Sequence, residues 1–116
     1  MRKPWALMDL VAVLVFVVIG RSVHAHGLAL PGIVSTAWPF VSGLVVGWCA
    51  LVVFGRDEMS SRGGAMVTVS TVALGMALRV ISGQGIAPAF VLVALAFFSA
   101  TMLGWRLLRR LVRSGP

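Results

Sequence analysis

The sequence predicts an all-α integral membrane protein, a four-transmembrane-helix bundle built from two tandem helical hairpins related as a parallel repeat. Three observations lead there. Hydrophobic residues make up 59% of the 116-residue chain and charged residues 11%, with a mean hydropathy of +1.03, well outside the range of soluble domains. Four apolar runs, each near the ~20 residues that a hydrocarbon core about 30 Å thick requires, are separated by short polar or glycine-rich turns. The first two runs also match the last two in where arginine, proline and tryptophan fall.

The first run, about Pro4–Val23, follows Arg2 and Lys3 and ends in "IGRSVHAHGLALP". Its basic start and its "VHA" imitate a cleavable secretory signal. Its likeness to an internal run, which no signal peptidase removes, makes it a retained helix. The second run, about Pro31–Phe54, opens on a proline suited to the first helical turn. It also carries Gly43 and Gly47, a small-x-x-x-small pair fit for close packing of helices two and four or for an oligomer contact. The third, about Gly64–Ser82, places Thr68, Thr71, Gly75, Arg79 and Ser82 at steps of three or four, hence on one face. That face should turn inward, its hydroxyls bonding across helices and Gly75 allowing close approach. The fourth, about Pro88–Leu108, repeats the small pair as Ala100 and Gly104 and runs into the basic tail "RLLRRLVRSGP".

The repeat aligns Arg21 with Arg79 and His26 with Gln84 at a shift of 58 residues; Pro31 with Pro88, and Phe40, Ser42, Gly47 and Trp48 with Phe97, Ser99, Gly104 and Trp105, follow at 57. One membrane domain over 1–116 is expected, with repeat 1 at about 4–54, repeat 2 at about 64–108 and the tail at 106–116. Arg2, Lys3, Arg56, Arg62, Arg106, Arg109, Arg110 and Arg113 fall at one side of the membrane if both termini share it, against Arg21 and Arg79 at the other. The excess marks the cytoplasmic side, so the protein is expected in the cell (inner or plasma) membrane with both termini in the cytoplasm. The net charge of +7 is then topological and attracts anionic lipid rather than nucleic acid.

Arg21 and Arg79 should share one neighbourhood near the outer ends of the first and third spans. Two guanidinium forks there would bind a carboxylate or phosphate, with Thr71, Ser82 and His24 as further candidate ligand-binding residues. Asp9, with Phe16, Gly20 and His24, forms a stripe on the first span; it reads as a structural partner of basic terminal residues rather than a proton carrier. Trp5, Trp38, Trp48 and Trp105 suit interfacial belts. His24 and His26 lie two apart and diverge if helical, so no metal or cofactor is expected. The lone Cys49 reads as a packing residue. No nucleophile elbow, phosphate loop or zinc-protease motif is present, and no enzymatic activity is expected.

"FVVIGRSVHAHG", the "WPF" at Trp38–Phe40, "LGMALRV" around Arg79 and "FVLVALAFFSATMLGWRLLRR" resemble the small membrane family known as domain of unknown function 3054. The resemblance spans nearly the whole chain. It implies a four-span membrane protein and brings no catalytic residues. Two functions follow from the residues: a binding or transport protein for a small anion or polar metabolite, or a non-catalytic packing subunit of a homo-oligomer or larger membrane complex. A cavity reaching Arg79 would favour the first; an exposed groove at Gly43 and Gly47 would favour the second.

Overall fold

The computed structural model describes residues 7–23, 28–85 and 87–114, whose regular elements are all helical. They are α1 (Leu7–Val23), α2 (Leu30–Val53), α3 (Ser61–Ile81), α4 (Pro88–Phe98), a π-helical segment (Ser99–Leu103) and α5 (Gly104–Ser114). Right-handed helical backbone continues through Ser99 and Gly104, so the last three form one rod. Three helices are long and apolar enough to cross a membrane, Leu30–Val53, Ser61–Ile81 and Pro88–Val112. The described part of α1 is apolar but has 17 residues.

Local chemistry sets the boundaries. Pro31 and Pro88 occupy the first turns of α2 and α4, where a missing N–H costs nothing. Ser60 caps α3 by accepting the Gly63 N–H at 2.9 Å, satisfying one of the donors a helix start leaves open. After α3 the chain turns through Gly83 and Gly85, at φ 80° and 75°, a region that residues with a Cβ rarely enter.

The core is built by alternating very small and aromatic side chains. Gly43 and Gly47 lie against α3, not the fourth helix as the sequence implied: a Cβ at Gly43 would stand 2.7 Å from the Ser70 carbonyl oxygen, and one at Gly47 3.1 Å from the Val67 Cα. Ser70 seals this contact by donating to the Gly43 carbonyl at 2.7 Å. The corresponding pair in the last rod is not used this way. Ala100 is exposed, and among the described residues nothing lies within 4 Å of where a Cβ on Gly104 would stand. Gly75 instead admits the Phe40 ring, which a Cβ would approach to 2.5 Å. Phe16 anchors an aromatic cluster with Phe40, Phe90, Phe97 and Phe98, ring centroids 4.8 to 5.8 Å away, and each such pair adds about 0.5–1.5 kcal/mol beyond burial.

The inward face of α3 meets the expected cross-helix hydrogen bonding only in part. Thr68 and Thr71 are buried, yet they donate to the Gly64 and Val67 carbonyls of their own helix, both at 2.8 Å. A hydroxyl four residues after a carbonyl reaches it without help from a neighbouring helix. Across helices, the Thr68 hydroxyl also reaches Met102 Sδ at 3.7 Å, while the bond to a backbone carbonyl of another helix falls to Ser70, a position that the sequence argument passed over.

The π-helical segment also escaped the sequence reading, which treated the fourth run as regular. Ala94, Phe98, Met102 and Arg106 are all buried. Steps of four residues drift by about 40° each around a regular α-helix with ~3.6 residues per turn. The extra residue of the π turn takes up this drift and keeps all four on the inward face. Outside, Val11, Leu14, Val18, Val45, Val52 and Leu92 are exposed, so the bundle is apolar on both faces.

Candidate functional site

α1 and α3 end, and α2 and α4 begin, at the same end of the bundle. There the helices splay around a cavity of about 710 Å³ whose polar lining is Arg21, Thr36, Arg79 and Gln84. Arg21, from the last turn of α1, donates from Nη1 to Thr36 Oγ1 at 2.8 Å. Its guanidinium lies over Gly32, where a Cβ would collide with it. Arg79, from the last turn of α3, donates from Nε to the Gly85 carbonyl and from Nη1 to Gln84 Oε1, each at 3.2 Å. Its Nη2 has no hydrogen-bond partner among the described residues. The Arg79 guanidinium stands 4.6 Å above the Phe90 ring, a cation–π arrangement.

Gln84 is held in place by an older problem in α2. Pro39 lies inside that helix and has no N–H to offer the carbonyl four residues earlier. That carbonyl belongs to Ser35, and it accepts the Gln84 Nε2–H at 3.2 Å. The other end of the same amide receives Arg79. The proline of the "WPF" motif therefore fixes the turn after α3 and, through it, one wall of the cavity.

Of the ligand-binding candidates, Arg21 and Arg79 line one cavity. Ser82 is exposed behind it, donating to the Arg79 carbonyl at 3.1 Å and accepting from Gln84 Nε2 at 3.2 Å. Thr71 is buried deeper in α3 with its hydroxyl turned to Val67 and is not among the cavity's lining residues. His24 lies outside the described residues, as does His26. Sequence reasoning missed Thr36 and Gln84. Gln84 had a signal, the mid-helix proline that orphans a carbonyl; Thr36 had none.

At the opposite end, α1 and α5 are joined by a buried ion pair. Arg106 grips Asp9 with two parallel bonds of 2.8 Å, Nη1 to Oδ1 and Nη2 to Oδ2, and both side chains are essentially sealed from solvent, at 1% and 0% exposed. The carboxylate also accepts the indole N–H of Trp105 at 2.9 Å and of Trp48 at 3.2 Å. Arg106 further donates to the carbonyls of Glu58, at 2.7 Å, and Met102, at 2.9 Å. Gly64 leaves room for it, since a Cβ there would lie 2.7 Å from Arg106 Cδ. Four donors on one carboxylate offset the cost of burying its charge. Arg106 thus belongs to the interior rather than the basic surface, and Trp48 and Trp105 aim their polar edges inward instead of forming only an interfacial belt.

Among the described residues no group of three His, Cys, Asp or Glu converges to hold a metal. No curated protein and no solved structure is significantly similar to the chain. A family model described as protein of unknown function (DUF3054) matches residues 6–109, a span that carries both arginines of the cavity and both partners of the buried ion pair, and the chain belongs to that family.

Proposed function

We propose that the chain is a four-span membrane protein that binds a small anion or polar solute in the cavity between Arg21 and Arg79, as the binding step of transport and without catalysis. One observation carries the reading: two permanently charged guanidinium groups from different helices line the same 710 Å³ cavity, a volume typical of ligand sites. Both termini lie in the cytoplasm of a cell-membrane protein, by the lysine and arginine excess, which puts the cavity on the outer side. The apolar outer faces suit lipid. Gly43 and Gly47 are consumed inside the bundle, so they offer no surface groove for an assembly role.

The tandem repeat belongs to the same reading. Its supports are the two aligned arginines on one cavity, the two aligned tryptophans on one carboxylate, and the burial of Asp9, Val13 and Val17 together with their counterparts Val67, Thr71 and Gly75. A pseudo-two-fold axis along the membrane normal brings such pairs to one depth.

The test is anion binding to protein in zwitterionic lipid nanodiscs, titrated with inorganic phosphate and with acetate. Arg79→Leu should abolish binding. Arg79→Lys keeps the charge but loses the fork, and should weaken binding by about tenfold or more, the worth of one charge-assisted hydrogen bond. Arg21→Lys should act in parallel and more mildly. Wild-type binding by folded leucine variants of both arginines would remove the solute-binding reading.

A further inference from the structure

The cavity is graded, and the grading selects a ligand class. Its charged and amide groups sit at one level: Arg21 and Arg79 at the last turns of α1 and α3, with Thr36 and Gln84 beside them. Immediately below Arg79 the lining turns apolar, beginning with the Phe90 ring 4.6 Å from the guanidinium. From Ala87, the N-cap of α4, the lining residues Phe90 and Val93 step down one helix face over about 9 Å, at ~1.5 Å per residue. On α1 the stripe Phe16, Val17 and Gly20 faces them.

The apolar part also has a side opening. Val93 lines the cavity and yet is 57% exposed, while among the described residues nothing lies within 4 Å of where a Cβ on Gly20 would stand. The space between α1 and α4 therefore continues to the outer surface of the bundle, at a depth where the surface is apolar. A free inorganic anion would use the polar level and leave the rest of the volume lined by hydrocarbon with nothing to cover it.

We infer that the ligand is an amphiphilic anion: a carboxylate or phosphate head held by Arg21 and Arg79, with an alkyl tail lying between α1 and α4 against Phe16, Phe90 and Val93. This rests on the solute-binding reading above and narrows it. The same chemistry has two sources, an anionic membrane lipid entering sideways between α1 and α4 or a soluble alkyl anion entering from the end.

The experiment compares inorganic phosphate, octyl phosphate and octanol by calorimetric titration of the full chain in phosphatidylcholine nanodiscs, each corrected with protein-free discs. Octyl phosphate should bind at least tenfold more tightly than phosphate, a gain that about two buried methylene groups supply, and at least tenfold more tightly than octanol, the worth of about one charge-assisted hydrogen bond. Arg79→Leu should remove the advantage of octyl phosphate over octanol. Gly20→Leu fills the space between α1 and α4 without a clash at Cβ, and should bring the ratio of octyl phosphate to phosphate affinity toward one. Doping the discs with phosphatidic acid separates the sources: competition with octyl phosphate identifies a membrane lipid, its absence a soluble alkyl anion, and both support the inference. Equal affinity for phosphate and octyl phosphate, both lost in Arg79→Leu, overturns the amphiphile and leaves the solute-binding reading intact. Binding of neither overturns both. Equal binding of octanol and octyl phosphate, indifferent to Arg79→Leu, shows a greasy crevice and overturns the anionic head.

Discussion

Asp9 carries four hydrogen bonds from three side chains, and the cost of disturbing it depends on which partner is removed. Arg106→Leu leaves a buried carboxylate with two indole donors only, and should destabilise the protein by about 3–5 kcal/mol, the usual consequence of stranding one member of a buried pair. The double variant Asp9→Asn with Arg106→Met removes both charges and should recover most of that loss. Denaturant unfolding of detergent-solubilised protein, followed by the fluorescence of Trp48 and Trp105 in a Trp5→Phe, Trp38→Phe background, reads both outcomes; equal losses in the single and double variants would contradict a charge-stranding origin. The sequence pointed to a basic partner for Asp9, because a lone acid in an apolar run needs one. It did not point to Arg106, which stands in a basic tail among arginines of the same type and differs from them only in where the helix face turns.

At the scale of the element, the last rod is set by its π turn. Deleting the exposed Ala100 should convert the segment to regular α-helix and rotate Trp105 and Arg106 by about 100°, one residue's turn at ~3.6 per revolution, away from Asp9. Its unfolding midpoint should fall as far as that of Arg106→Leu. An Ala100→Ser change at the same site should leave the midpoint unchanged. Pro39 governs α2 in a comparable way. Pro39→Ala gives the Ser35 carbonyl a donor within its own helix, releases Gln84 and should weaken anion binding through Arg79 without unfolding the bundle, as titration with inorganic phosphate would register. The helical runs were legible, because apolar length and terminal prolines are local properties, whereas the π turn at Ser99–Leu103 was not. Partnership was not: Gly43 and Gly47 announce a close contact, but which helix supplies the opposing backbone is decided by the Ser70 hydroxyl reaching the Gly43 carbonyl.

Over the whole molecule, the two ends have opposite characters. One holds a cavity bordered by Arg21 and Arg79; the other is closed by the Asp9 and Arg106 pair beneath the α2–α3 turn. The arginine and lysine excess, which Arg106 joins in count but not in surface charge, predicts that the closed end faces the cytoplasm. In a Cys49→Ser background, Ser82→Cys should react with a membrane-impermeant maleimide from outside intact cells, whereas Arg56→Cys should react only after permeabilisation. The reverse pattern would invert the topology. The all-helical, apolar character was readable from composition and apolar run length, and the charged pair at the cavity was readable because arginine is rare in apolar runs. The ordinary polar residues that hold those arginines, Thr36 and Gln84, carry no such contrast with their surroundings.

The pairing of Asp9 with Arg106, 97 residues apart in the chain, has a consequence for biosynthesis. α1 leaves the ribosome before α5, so the carboxylate waits through the synthesis of α2, α3 and α4 before the Arg106 guanidinium exists. Until then Asp9 lacks its final partner, and closure of this end of the bundle is coupled to translation of α5. A ribosome that stops short of residue 106 releases a chain whose Asp9 lacks its guanidinium partner.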